Sequence, residues 1–228
     1  MKNLAIIPAR SGSKGLVDKN IKPMNGKPLM GYTIDAALGS GVFDAVMVST
    51  DSEKYAEIAR GLGAEVPFLR SERTASDSAS SWDAVTEVIE KYKEMGKSFD
   101  TFCLLQPTSP LRTSEDIRGA YDLFTEKKAK FVVSVCETEH PLSWCGTLPE
   151  DLSMDGFIER AGANQRQKAK KSYRLNGSIY IAVIGAFAED NFFYRDGSYA
   201  YVMSKRSSVD IDNEEDFLYA ELLMNRGL

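Results

Sequence analysis

Short apolar runs bounded by turn formers alternate along this chain with longer stretches whose apolar positions recur at helical spacing. Residues 4–8, 45–49, 65–68, 101–105, 131–135, 178–184 and 199–203 are short runs of the first kind. Their length and lack of strict alternation predict strands, several of them buried on both faces. Helices are predicted over 29–38, 53–62 and 214–224. Two further helices open at Ser80-Ser81-Trp82-Asp83 and at Thr113-Ser114-Glu115-Asp116. In the first of these, Trp82, Val85, Val88, Ile89 and Tyr92 share one face; in the second, Ile117, Ala120, Tyr121 and Phe124 do. Asp51 or Ser52 is placed to cap the helix over 53–62, since a short polar side chain there can accept the unpaired first-turn N–H groups. This βαβα order predicts an α/β fold, a parallel-rich sheet covered by helices on both faces.

The rhythm breaks over residues 137–173, a polar stretch holding Pro141, Gly146, Pro149, Gly156 and Gly162. Trp144, Leu148, Phe157 and Ile158 are too apolar for a solvated linker. The expectation is a strand-containing arm whose apolar side chains pack on a second subunit. The whole chain, 1–228, reads as one domain with an inserted dimerisation arm at about 137–175.

Composition narrows the classes. A formal net charge of −5 gives no global basic field for a nucleic acid, so phosphate affinity must come from local cations. Cys103, Cys136 and Cys145 are odd in number and form no CxxC, which argues against zinc and against a disulfide framework. The amino terminus lacks the pattern of a signal peptide, and no apolar run approaches the roughly 18 residues of a membrane span. A cytoplasmic protein without membrane or nucleic-acid partners is expected.

Four segments carry candidate chemistry. The opening loop, Ile6-Ile7-Pro8-Ala9-Arg10-Ser11-Gly12-Ser13-Lys14-Gly15 with Asp18-Lys19-Asn20, follows a strand's carboxyl end and places three cations, Arg10, Lys14 and Lys19, within a span of ten residues. Small residues let backbone N–H groups approach a ligand, and the cations match a polyphosphate. It is neither GxGxxG nor GxxxxGK[ST], so dinucleotide and P-loop readings fail. In Leu104-Leu105-Gln106-Pro107-Thr108-Ser109-Pro110-Leu111-Arg112, two prolines stiffen a loop that presents Gln106, a donor and acceptor at once. In Val209-Asp210-Ile211-Asp212-Asn213-Glu214-Glu215-Asp216, two carboxylates two residues apart lie on one side of an extended chain and suit a hard divalent cation. Asp212 with Glu215 also forms a capping-box-like pattern, which leaves Asp210 the stronger metal candidate. Last, Arg166 in Asn164-Gln165-Arg166-Gln167 offers a planar fork for a carboxylate or phosphate, and Asn176-Gly177 predicts a tight turn before a strand. His140, the one histidine, has no nucleophile motif around it and is expected at the surface or in packing.

Together these segments closely resemble the CMP-sialic acid synthetases, or acylneuraminate cytidylyltransferases. The likeness runs through IPARSGSKG, DKNIKP, STDS, GAEVPFLRS, LLQPTSPLR, NGSIYI and VDIDNEEDF, in the family's order. It implies a three-layer α/β/α nucleotidyltransferase fold with a dimerisation arm inserted late, and a homodimer. It also implies that a nonulosonic (sialic-type) acid is activated by CTP to the CMP-sugar with release of pyrophosphate, assisted by Mg²⁺. By the same resemblance Ala9, Arg10, Lys14, Lys19, Asn20, Arg70, Ala79 (through its backbone) and Ser81 are expected at the nucleotide. Gln106, Arg166 and Tyr180 are expected at the sugar, Arg166, Lys19 and Asp210 in catalysis, and Asp210 and Asp212 at the metal. Arg70 and the backbone near Ala79 are expected to select cytosine. After His140-Pro141-Leu142 some bacterial members carry a lysine that reaches the sugar from the partner subunit; Ser143 stands there in this chain. The main expectation is therefore CMP-N-acylneuraminate synthesis. The alternatives are the same reaction on a legionaminic or pseudaminic type acid, or a non-catalytic nucleotide-binding subunit.

Overall fold

The structure, a computed structural model, describes residues 1–12, 15–76, 79–158 and 170–226. Six strands form one sheet in the order β4-β1-β5-β7-β6-β8: β1 (Asn3–Pro8), β4 (Ala45–Ser49), β5 (Thr101–Leu105), β6 (Phe131–Glu137), β7 (Tyr173–Val183) and β8 (Ser198–Met203). The pair β2 (Pro23–Met24) and β3 (Lys27–Pro28) makes a separate small hairpin. β1 runs parallel to β4 and β5, and β6 parallel to β8, whereas β7 is antiparallel to both of its neighbours. The sheet is thus mixed, with a reversed strand inside the parallel frame that the alternating pattern predicts.

Pleating explains the layers. Ala5 and Ile7 point to the side covered by α1 (Leu29–Ser40), α2 (Glu53–Gly61) and α5 (Ser114–Glu126), through Ile34, Ala56, Ile117 and Phe124. Leu4 and Ile6 point to the other side, where Val85, Val88 and Tyr92 of α4 (Ser81–Glu94) meet Phe187 of α6 (Ile184–Glu189). Burial on both faces is why these strands read as continuous apolar runs. A smaller cluster seats Phe217 and Ala220 of α7 (Glu214–Asn225) on Met24, Leu29 and Ile211, tying the late acidic segment to the early hairpin. Among the described residues no helix is long and apolar enough to cross a membrane. Cys103 and Cys136 are buried and Cys145 is exposed, all as free thiols.

Two expectations change in detail. Residues 65–68 form one bridge, Met47 to Glu65, and no strand, because Pro67 has no N–H to continue a ladder. Asn176-Gly177 lies inside β7, where the pairing with β6 shifts register between Val133 and Val135; Gly177 takes φ +71° as a bulge and not as a turn before the strand. In the arm, the described residues 138–158 hold no strand, only a 3-10 turn at Leu142–Trp144, and residues 159–169 lie outside the described residues. Leu142, Trp144, Leu148, Leu152 and Met154 are exposed there. His140 is exposed, with its ring 6.3 Å from that of Trp144.

Candidate active site

Because β1 and β5 are parallel, the loops that leave them open on one rim. There they border a cleft of about 540 Å³ lined by Arg10, Lys19, Asn20, Arg70, Gln106 and Asp212, with Ala79 and Ser81 also on its wall.

The opening loop is held from behind. Ala9 donates its N–H to the Ser49 carbonyl (2.9 Å), so it is fully buried and backs the cleft without lining it. Ser11 donates its N–H and its hydroxyl to Asp51, at 2.7 and 2.6 Å. Burial alone would raise the Asp51 pKa, but those two donors carry it below the usual carboxylate value. Buried Asn20 donates to the Arg10 carbonyl (3.1 Å), fixing the backbone that presents the Arg10 guanidinium. Lys19 donates to the Ile211 carbonyl, and its Nζ lies 3.7 Å from Asp212 Oδ1. A side chain on Gly15 would stand 2.6 Å from the Asp212 carbonyl oxygen, so only glycine permits this approach. The cationic turn and the late acidic segment, nearly 200 residues apart in sequence, are therefore in contact.

A second wall comes from the segment after β4. Arg70 donates from Nε to Ser49 Oγ and from Nη2 to the Ser49 carbonyl, both at 3.1 Å. Burial lowers its pKa, and the charges of Asp51 and Glu87 oppose that shift. Next to it α3 (Glu72–Ala75) brings Thr74 to the cleft. The amino terminus of α4 completes the wall with Ser81, behind a capping box made by Ser80 and Asp83. Unpaired N–H groups at such an end favour negative charge.

The acidic segment is shaped as a metal candidate, although its cap differs from expectation. Asn213 is the N-cap: its Oδ1 accepts from the Asp216 N–H at 3.0 Å, and Asp216 Oδ2 accepts from the Asn213 N–H at 3.2 Å. The box therefore lies one residue later than the Asp212–Glu215 pattern and leaves the exposed Asp212 carboxylate outside it. Asp210 is half-buried, and among the described residues its Oδ1 is buried with no hydrogen-bond partner. Burial pushes its pKa up, against a hydrogen bond from Thr108; the Asp212 charge adds to the rise, and Lys19 and Arg174 reduce it. A buried oxygen without a donor, beside a second carboxylate, fits a hard cation. No cluster of three or more His, Cys, Asp or Glu suited to a metal occurs among the described residues, so phosphate oxygens and water would complete the shell.

The β7 bulge joins Gln106 to this pair. A Cβ on Gly177 would sit 2.8 Å from Gln106 Oε1 and 3.7 Å from Asp210 Oδ2. Buried Asn176 anchors the bulge, accepting from Ser134 (2.6 Å) and donating to Ser208 (2.8 Å). Arg112, absent from the sequence-based candidates, is buried behind the loop and donates to the Gln106 carbonyl (3.2 Å), the Ser178 carbonyl (2.8 Å) and Thr33 Oγ1 (2.6 Å). Burial pulls its pKa down to about 10.

Tyr180 stands apart. It is buried edge-on against Trp82 at 5.5 Å and against Phe193 at 5.7 Å, and it is not among the residues lining the cleft. Lys14 and Arg166 lie outside the described residues. Asp51, Thr108, Arg112 and Gly177 went unpredicted as site-building residues. Gly177 carried a conformational signal, an Asn-Gly pair whose glycine permits positive φ, and the other three fall within segments already singled out for other residues.

The chain is similar to proteins of known activity. A family model described as cytidylyltransferase matches residues 4–143. The chain is 35% identical over 223 residues to a pseudaminic acid cytidylyltransferase of Campylobacter jejuni (strain 81-176), covering 98% of this chain and 96% of that one. It is 41% identical to an N-acylneuraminate cytidylyltransferase of Escherichia coli O18:K1:H7, covering 95% of this chain and half of that longer protein. Among solved structures, CMP:2-keto-3-deoxy-manno-octonic acid synthetase complexed with CTP superposes with a TM-score of 0.74 at 16% identity, each chain covered in full. That likeness shows an α/β nucleotidyltransferase fold.

Proposed function

The chain belongs to the cytidylyltransferase family, CTP-dependent nucleotidyltransferases, and we propose that its cleft transfers the CMP group of CTP to the anomeric hydroxyl of a nonulosonic acid. In that reaction the hydroxyl oxygen bonds to the α-phosphorus, the α–β phosphoanhydride breaks, pyrophosphate leaves and the hydroxyl proton passes to solvent water. Negative charge gathers on the phosphoryl oxygens and the leaving group, so fixed cations contribute most.

The observation that carries this reading is the contact between Lys19 and the Asp212 segment within one cleft. Arg10 and Lys19, with Lys14, neutralise the β- and γ-phosphates. Asp210 and Asp212 would hold Mg²⁺, which would polarise the phosphate and acidify the attacking hydroxyl. Asn20, Arg70, the Ala79 backbone and Ser81 receive ribose and cytosine, with Ala9 supporting the turn from below. Gln106, held by the Arg112–Ser178 bonds, meets the sugar's hydroxyl or acylamino groups. Arg166 joins the sugar and leaving-group end. Tyr180 acts there through the strand that bears Gly177 rather than from the cleft wall.

The acceptor is proposed to be an N-acylneuraminate. A second reading, a pseudaminic or legionaminic type acid, is favoured by Ser143 at the lysine position and by similarity along nearly the full length of the pseudaminic acid enzyme. The protein is further proposed to work in the cytoplasm as a homodimer, the arm at about 137–175 laying Leu142, Trp144 and Leu148 on the partner. Pyrophosphate release with CTP and Mg²⁺, measured against N-acetylneuraminic, legionaminic and pseudaminic acids, tests the function. One acceptor turning over far faster than the others is expected. CTP binding without release from any of them would mark a nucleotide-binding subunit. Sedimentation of a Trp144→Glu variant as a monomer is the matching result for the arm.

A further inference from the structure

Glu87 lies on α4, behind the cleft wall, only 7% exposed. A carboxylate is seldom buried unless it is paired, and this one is paired thoroughly. It accepts from the Ser71 N–H at 2.9 Å, from the Ser71 hydroxyl at 3.1 Å and from the Thr74 hydroxyl. One turn on, Lys91 places Nζ 2.7 Å from Glu87 Oε1, donates to the Leu69 carbonyl at 2.8 Å and sits 5.1 Å from the centre of the Phe68 ring. Burial raises the Glu87 pKa, yet Lys91, Thr74 and Ser71 together hold it at about 2.

In sequence a Glu and a Lys four residues apart on a helix suggest a solvated pair of small effect. Here both side chains turn inward onto residues 68–74, the segment that carries Arg70 and Thr74 to the cleft. Neither Glu87 nor Lys91 lines the cleft. With the phosphates drawn toward Lys19 and Asp212, the Arg70–Thr74–Ser81 wall is left for the base and ribose.

We propose that Glu87, braced by Lys91, is a positioning residue that sets Arg70 and Thr74 for nucleobase recognition and so governs affinity for CTP and its preference over UTP. The inference rests on the nucleotide reading of the cleft. Acceptor binding and the transfer step do not depend on it.

Steady-state kinetics of Glu87→Gln, with pyrophosphate as the readout, test the claim. The amide keeps the shape but sets an NH₂ where donors now converge, so the KM for CTP rises about tenfold. Meanwhile kcat at saturating CTP stays within about twofold, the acceptor KM is unchanged and the CTP-over-UTP ratio narrows. A merely structural role would lower kcat through loss of folded enzyme and leave both KM values and the ratio alone, which overturns the proposal. If Glu87→Gln does not fold, Lys91→Met decides: a several-fold rise in the KM for CTP alone supports positioning, and an unchanged KM refutes it. Wild-type enzyme that releases no pyrophosphate with any acceptor sinks the reading of the cleft itself, and this inference with it. An active wild type with indifferent variants sinks only the inference.

Discussion

Asp210 and Glu87 stand behind different walls of the same cleft, and their surroundings push them in opposite directions. Burial raises the Asp210 pKa, and its Oδ1 has no partner among the described residues. Glu87 is buried too, but four donor groups hold it at about 2. A carboxylate kept under-satisfied in the fold is poised for a ligand, whereas a saturated one is part of the scaffold. The contrast separates the groups proposed to touch magnesium and phosphate from those that shape the base pocket.

The sharpest way to break that contrast is Asp210→Asn. Losing an aligned charge typically removes roughly 3–4 kcal/mol of transition-state stabilisation, so turnover should fall by at least about two orders of magnitude while CTP still binds. Without metal the variant should melt no lower than wild type, since it no longer buries an under-satisfied charge. Undiminished turnover at saturating Mg²⁺ would remove Asp210 from the mechanism. Next in size is Gly177→Ala. A Cβ 2.8 Å from Gln106 Oε1, on a backbone at φ +71°, should destabilise by about 1–3 kcal/mol in urea titration and raise the acceptor KM more than the CTP KM.

Acid titration sharpens the Glu87 side. Its folded pKa lies below the ordinary 4.5, so its contribution is complete above that value and is lost as pH falls through about 2. Wild type should exceed Glu87→Gln in stability by roughly 1–2 kcal/mol at neutral pH, after allowance for solvent screening, with the gap closing across that acid window. The smallest expected effect is at Asn213. Removing the cap in Asn213→Ala should lower stability by about 1 kcal/mol, whereas Glu215→Ala, outside the box, should change it little.

Much of the frame was legible because local rules and tertiary structure agree. The strand runs at 45–49 and 101–105 match the observed strands, and Thr113 caps its helix with Asp116 as the pattern indicates. The cap at Asn213 falls one residue after the Asp212–Glu215 pattern, because Asp212-Glu215 and Asn213-Asp216 share the same spacing. The reversal of β7 was hidden, since an apolar run buried on both faces carries no mark of strand direction. Of the site, Arg10, Lys19, Asn20, Arg70, Gln106 and Asp212 could be picked out by charge and motif, and they converge on the cleft. Asp51, Arg112 and Glu87 could not. Each acts through partners distant in sequence, which spacing along the chain does not reveal.

Catalysis as proposed requires a metal-bound triphosphate seated between the opening-loop cations and the acidic pair. Anomalous scattering from crystals soaked with CTP and Mn²⁺ addresses it most directly. The expected result is a manganese peak bound to the carboxylates of Asp210 and Asp212 and to triphosphate oxygens that also meet Arg10 and Lys19. A triphosphate lying elsewhere, or a metal peak remote from both aspartates, would contradict it.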